Sequence, residues 1–391
     1  MNVQKLDKIP SMIPELTQAF FDQFHAKPSL LVRAPGRVNL IGEHTDYNEG
    51  FVLPMAIDRD VRIALRPKAG ATVSIHSLDL DAYGEFDLTS LERGTGWLEY
   101  LKGVTHELQI AGYKLQGWEG VMTGDVPRGA GLSSSAAVEM ATARAFASVC
   151  GFDWEPMTMA RIGQRAENDW VGVNCGIMDQ AVSAAAKAGH ALFLDCRTLE
   201  YKHVPLPNDM AVVVLDTSTR RGLVGSAYNE RREQCERAAR WFGVRALRDV
   251  SVGEFEERGK KKDGVDELAW KRARHIITEN ERVLQAVEAM HRDDPVALGR
   301  LFNESHASLR DDFEVTNDAL NWIVEIAQAQ SACYGARMTG AGFGGCAVAL
   351  VRRDSAEGFA DAVGAEYRAR SGMEARVYVC QASEGASVIK K

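Results

Sequence analysis

Between Pro127 and Ala137 the chain reads Pro-Arg-Gly-Ala-Gly-Leu-Ser-Ser-Ser-Ala-Ala, a flexible loop running straight into a helix whose inner face is Val138, Ala141, Ala145 and Val149. A junction of that kind suits an anion. Glycines let backbone N–H groups turn inward onto a phosphate, and the first helical turn adds free donors and the positive end of its dipole. Gly129, Ala130, Gly131, Leu132, Ser133, Ser134 and Ser135 would form the cradle, with hydroxyls for phosphate and for magnesium. The bland alternative is a flexible loop with a serine N-cap. No Walker A loop occurs, since no lysine follows the glycines. Gly340, Gly342 and Gly345 have the spacing of a dinucleotide fingerprint, but that fingerprint must open a helix, and Cys346 to Val351 continues as strand.

A second polar concentration, Ala34-Pro-Gly-Arg-Val-Asn-Leu-Ile-Gly-Glu-His-Thr-Asp-Tyr-Asn48, reads as a short loop between two apolar strands. Glu43, His44 and Asp46 can face one small cavity and offer the mixed donors and acceptors that recognise sugar hydroxyls. A metal site and plain turn chemistry are the alternatives. Third, Ala166-Glu-Asn-Asp169 and Cys175-Gly-Ile-Met-Asp-Gln180 place acids on or at the start of consecutive helices. Asp179 lies among apolar and small neighbours, and a buried carboxylate needs a partner. Arg37 or a ligand would make it a positioned base; a structural ion pair would leave it inert.

These segments need a scaffold, and 391 residues are enough for two domains with a substantial core. Hydrophobic residues at 46% and charged residues at 26% indicate an ordinary globular chain. With 46 Lys+Arg against 54 Asp+Glu there is no overall basic excess for a nucleic acid or an anionic membrane. Arg220-Arg221, Arg231-Arg232 and Lys260 to Lys262 are interrupted by acids and read as solvated faces. Seven scattered cysteines without a C-x-x-C pair read as reduced thiols. The amino terminus is broken by charges and two prolines, unlike a signal peptide, and no apolar run is long enough to span a bilayer. A cytoplasmic monomer is expected.

Helical spacing of Ile13, Leu16, Phe20 and Phe24 predicts a helix over 11–25, closed by Pro28 before a strand at Leu30 to Val32. Val61, Ile63 and Leu65, then Val73 and Ile75, alternate like half-buried antiparallel strands. Helices are expected near 97–112, 133–149, 157–171 and 176–187, then a strand at Ala191 to Asp195. Pro205, Pro207 and Asn208 break the chain before the apolar run Met210 to Leu215, which suggests domains over 1–208 and 209–391. The second half predicts helices near 226–242, 268–291, 295–309 and 316–330, strands at Cys346 to Val351 and Ala375 to Cys380, and a polar connection over Glu254 to Asp266. Without steady βαβ alternation the class is α+β.

In order and spacing these segments resemble the GHMP kinase superfamily, and Gly36-Arg-Val-Asn-Leu-Ile-Gly-Glu-His-Thr-Asp-Tyr-Asn48 is similar, nearly residue for residue, to the motif of its galactokinase branch. Pro127 to Ala137 resembles the family's phosphate loop, Met338-Thr-Gly-Ala-Gly-Phe-Gly-Gly-Cys346 its third motif, and Ser226-Ala-Tyr-Asn-Glu-Arg-Arg232 another galactokinase segment. The resemblance implies a two-domain α+β fold, ribosomal protein S5 domain 2-like at the amino end and ferredoxin-like at the carboxyl end, with the active site between. It implies transfer of the γ-phosphoryl group of ATP to the C1 hydroxyl of D-galactose. Sugar contacts would come from Glu43, His44, Thr45, Asp46, Asp179 and Tyr228, phosphate contacts from Gly129 through Ser135, another nucleotide contact from Ser77, and magnesium ligation from Ser135 and Glu167. Asp179 would take the hydroxyl proton, with Arg37 beside it balancing charge. Trp97 and Tyr100 are candidates for the adenine pocket, or else core. A kinase for N-acetylgalactosamine or arabinose, and a non-catalytic sensor of galactose and ATP, are the neighbouring possibilities; the intact Ser133 to Ala137 run speaks against the sensor.

Overall fold

The computed structural model describes residues 12–219, 224–260, 264 and 266–389. Positions 1–11, Arg220-Arg221 and Lys261-Lys262 lie outside the described residues, as does the side chain of Ser226.

The first half of the chain runs α1 (Met12–Phe24), β1 (Leu30–Ile41), β2 (Phe51–Pro67), β3 (Thr72–Ser77), β4 (Ala82–Asp87), α2 (Leu98–Ile110), β5 (Trp118–Gly124), α3 (Ser134–Cys150), α4 (Pro156–Arg165), α5 (Met178–Ala185), β6 (His190–Asp195) and β7 (Tyr201–Pro205). The second half follows as β8 (Met210–Asp216), α6 (Val224–Phe242), α7 (Val252–Gly259), α8 (Glu267–His291), α9 (Pro295–Asp311), α10 (Asp318–Ala329), β9 (Cys333–Thr339), β10 (Cys346–Arg352), α11 (Ala356–Ser371), β11 (Arg376–Cys380) and β12 (Ser387–Val388).

Two sheets result, and the architecture is α+β. The first has the order β12-β1-β2-β5-β3-β4, with β6 joined to β2 and β7 to β6. α3 packs across β1 and β2. The second has the antiparallel order β11-β8-β10-β9. The apolar run of β8 is explained by its two faces: Val212 and Val214 join the main core, while Val213 and Leu215 join a second core with Ile323, Phe359, Val363 and Tyr367 of α10 and α11. A strand covered on both faces has no reason to alternate. β7 ends in the first sheet at Pro205 and β8 starts the second at Met210. Yet the chain comes back, because β12 pairs with β1, Val32 opposite Val388.

Three local expectations need correction. Strand β1 does not stop before Pro35; it continues to Ile41, and a register irregularity between Pro35 and Arg37 absorbs the proline, so only the stretch after Ile41 is loop. β2 is covered on both faces, because α1 sets Leu16 and Phe20 against Leu31, Ala64 and Val121. The run from Glu254 is helical to Gly259, as α7, where the Ser251 hydroxyl accepts the Glu254 N–H at 3.2 Å. That Ser-x-x-Glu spacing is a helix-start signal in the sequence itself. No helix of the described residues is long and apolar enough to cross a membrane.

Candidate active site

The loop before α3 is held in shape by alternation. Ala130 and Leu132 are buried anchors, whereas Gly129, Gly131 and Ser133 take left-handed conformations with φ of 70°, 79° and 60°. Alternating hands turn consecutive N–H groups to one side, the geometry of an anion nest, and α3 opens directly behind it. Ala130 and Leu132 therefore have only backbone to offer a ligand. The nest is pressed onto β1: Arg37 N–H donates to the Leu132 carbonyl at 3.1 Å, and a Cβ on Gly36 would sit 2.7 Å from the same oxygen.

Arg37 joins the phosphate loop to Asp179. Its Nη1 donates to the Gly131 carbonyl at 2.6 Å, while Nε and Nη2 donate to the two oxygens of Asp179 at 2.8 and 2.6 Å. The Ser133 hydroxyl also donates to Asp179. Arg37 is 7% exposed in its side chain and Asp179 28%, so the carboxylate is the open member of the pair.

The sugar loop after β1 is divided between contacts and supports. Asp46, bonded to the Tyr47 N–H at 2.9 Å, is raised to about 6, first by burial and then by the nearby charge of Asp179. Its Oδ2 leaves no room at position 176, where a Cβ would lie 1.7 Å away; this glycine was not singled out from the sequence. Tyr228 packs 5.1 Å from Tyr47 and 5.7 Å from His44, ring to ring, and burial, then Asp46, pushes its phenol well above the ordinary range. His44 completes an aromatic box with Phe313 at 4.7 Å and is kept neutral by burial, with Nδ1 against the Tyr47 hydroxyl at 2.9 Å.

Thr45 is fully buried, and its hydroxyl reaches the carbonyls of Gly42 and Phe51 at 2.8 and 2.6 Å, so it fastens the loop. Glu43 is also deep, its oxygens taking the Gly340 N–H and the Asn39 amide. Behind it stand partners the sequence did not reveal. Glu279 of α8 accepts the Gly42 N–H at 3.0 Å and the Ser305 hydroxyl at 2.7 Å. Burial alone would raise Glu279, but Arg282, His275 and Arg337 hold it below the usual carboxylate range.

Glu167 lies on a π-helical turn, Ala166–Val171, that continues α4; the sequence reading had run one helix over 157–171. Such widened turns recur at functional sites. Glu167 lies within the influence of the Ser135 hydroxyl, and Gln180 Nε2 donates to Glu167 at 2.7 Å and to Glu139 at 3.0 Å. Burial raises both carboxyl groups, helped at Glu139 by the charge of Glu167 and at Glu167 by that of Asp179, and Glu139 Oε1 is buried without a hydrogen-bond partner. Buried acids beside a hydroxyl form a hard oxygen donor set short of positive charge, which fits magnesium. Among the described residues no group of three or more His, Cys, Asp or Glu could hold a metal alone, so phosphate oxygens and water would supply the remaining ligands.

Next to this, a cavity of about 180 Å³ is lined by Ser77, Trp97, Tyr100, Ser134, Ser135 and Val138. It joins Ser77 to the phosphate loop and gives both aromatic candidates an open face.

Comparison with known proteins gives the family. The galactokinase galactose-binding signature matches residues 18–67, the GHMP kinases N terminal domain 99–187, and the GHMP kinases C terminal 286–369. A galactokinase of Roseiflexus sp. (strain RS-1) is 46% identical over 377 residues, 95% of this chain and 96% of its own. The crystal structure of Lactococcus lactis galactokinase complexed with galactose superposes with a TM-score of 0.91 at 37% identity, covering 96% of this chain and 100% of that one. Methanococcus jannaschii mevalonate kinase, at a TM-score of 0.65 and 16% identity over 91% of this chain and 98% of its own, shares the fold.

Proposed function

The chain belongs to the galactokinase family of the GHMP kinases, and from that premise we propose how its residues move the γ-phosphoryl group of ATP to the C1 hydroxyl of D-galactose, giving α-D-galactose 1-phosphate and ADP. The observation that carries the mechanism is the bidentate hydrogen-bonded ion pair of Arg37 with Asp179, made beside the anion nest and within the influence of Asp46.

Glu43, His44, Asp46 and Tyr228 hold the sugar, with the deep Glu43 also bracing the loop. Asp179 takes the proton of the C1 hydroxyl as that oxygen bonds to the γ-phosphorus and the bridge to the β-phosphate breaks. Arg37 keeps Asp179 oriented and, through its fixed charge, favours the alkoxide and the charge spreading over the phosphoryl oxygens. Positioning does most of the remaining work, because reacting groups held in line need no further search. The N–H groups of Gly129 to Ser135 receive the phosphates. Ser135 and Glu167 would hold magnesium, which supplies neutralisation of phosphate charge. Trp97 and Tyr100 offer faces for adenine, and Ser77 a polar contact. We place the divide between the two domains at 208/209, with this site between them. A cytoplasmic location is in keeping with seven free cysteines, and we propose a monomer.

A coupled ADP-release assay with magnesium and ATP, comparing galactose, glucose, N-acetylgalactosamine and arabinose, tests the reading. Fastest turnover with galactose and a phosphorus NMR signal of the 1-phosphate are expected; a faster alternative sugar, or none, would sink the assignment.

A further inference from the structure

A cavity of about 380 Å³ opens beside the sugar loop, and Asp46 and Gly176 form its wall toward the phosphoryl-transfer site. Another wall comes from α4 and its π-helical extension. Arg161, Gln164, Arg165 and Asn168 all line it, at the three- and four-residue spacing that puts side chains on one helical face. The turn between β6 and β7 adds Arg197, and α6 adds Arg232.

Four guanidinium groups around one cavity are unexpected in a chain of net charge −8, and their pairing is incomplete. Among the described residues Arg161 and Arg165 have neither a carboxylate nor a hydrogen-bond partner. Arg232 has only an exposed pair with Glu236 at 3.3 Å. Arg197 is held by Glu49 at 2.6 Å and Asp249 at 2.7 Å, yet its Nη2 is buried with no hydrogen-bond partner. Gathering like charges opposes itself unless an anion joins them. Among the described residues Arg161 and Arg165 make no side-chain hydrogen bond or ion pair with the core or with the phosphoryl-transfer site.

We propose that this cavity is a second binding site, for a phosphate dianion, free or esterified to a small polyol, gripped by Arg161, Arg165 and Arg232, with the guanidinium of Arg197 beside them. Guanidinium forks match phosphate oxygens in pairs, and a cavity of this size takes a phosphorylated hexose. Because Asp46 and Gly176 are common to both sites, an occupant changes the affinity for galactose, and galactose changes the affinity for the occupant by the same factor.

The test uses the full chain saturated with ADP and magnesium, so that the phosphate loop is filled. Calorimetry then measures binding of inorganic phosphate and of α-D-galactose 1-phosphate at constant ionic strength. One saturable phosphate site is expected. It should weaken at least about tenfold in the R161Q/R165Q double variant, since two charge-assisted contacts are lost. Both residues are exposed on a helix, and turnover in phosphate-free buffer should stay within about twofold of the parent. Tighter binding of the sugar phosphate, sensitive to the same substitutions, makes the enzyme's own product the ligand; equal binding makes it the free ion. No phosphate site in the ADP-loaded chain, or a smaller loss in the double variant, overturns the proposal. Binding is read directly, so the outcome stands apart from whether galactose proves to be the substrate.

Discussion

Arg37 grips Asp179 with two nitrogens, Nε on one oxygen at 2.8 Å and Nη2 on the other at 2.6 Å, while its third nitrogen holds the Gly131 carbonyl at 2.6 Å. A lysine can make one such contact but cannot span both partners. R37K should therefore lower kcat by at least about tenfold, and D179N, which also loses the proton acceptor, by about 100-fold or more. Steady-state kinetics with both substrates varied checks this. Near-normal turnover in D179N would remove Asp179 from the chemistry.

Glu167 and Ser135 meet at the first turn of α3. E167Q keeps the shape and removes the charge, so the magnesium concentration for half-maximal rate should rise by about 10- to 100-fold, the scale seen when a metal site loses a supporting group. Galactose binding in the absence of nucleotide should be unchanged. A magnesium dependence like the parent's would place the ion elsewhere.

Trp97 lies along the cavity that also contains Ser77 and Ser134. Base stacking on an aromatic ring contributes about 1–3 kcal/mol, so W97A should raise KM for ATP by roughly 5- to 150-fold with KM for galactose little altered. Since Trp97 also packs on the main core, a melting curve separates lost contact from lost fold. Equal rises in both KM values would argue against an adenine platform.

His275 and His306 are buried and neutral. Burial pushes His275 down to about 4 and His306 to about 3, and the neutral forms are used: His275 faces the Glu43 carbonyl at 3.1 Å, and His306 Nδ1 accepts the Met338 N–H at 3.2 Å. The unfolded chain charges both near 6.5. Their contribution is thus complete above pH 6.5 and is lost as pH falls through about 4. Thermal melts should drop by several degrees between pH 7 and pH 5, and H306N, less stable at pH 7, should lose less over that interval. An equal loss would assign the acid sensitivity to other groups.

Much of the chemistry was legible because it is written locally. The glycines and serines of 129–135 need only their neighbours to form a nest, and Arg37, Glu43 and Asp46 fall in one short run. What stayed hidden depends on partners far along the chain. Nothing near Glu279 announces that it will hold the Gly42 N–H, 237 positions away. Nor does the sequence show that the Thr45 hydroxyl will meet the carbonyls of Gly42 and Phe51. Pro35 reads as a strand end because its ring removes a donor, and only the irregular register with β2 shows how the strand continues. The π turn at Glu167 has no distinct spacing in sequence; it is a backbone choice settled by packing.

The pairing of β12 with β1 has a consequence for biosynthesis. At 5–20 residues per second a ribosome releases β1 roughly 20 to 70 seconds before the residues that will flank it. Throughout that interval the outer edge of the strand bearing Arg37 has its hydrogen-bonding groups open, a template for a wrong strand from the same chain or another. The nascent enzyme is thus vulnerable to misassembly at the strand on which catalysis depends, and β12 acts as a latch that ends the exposure.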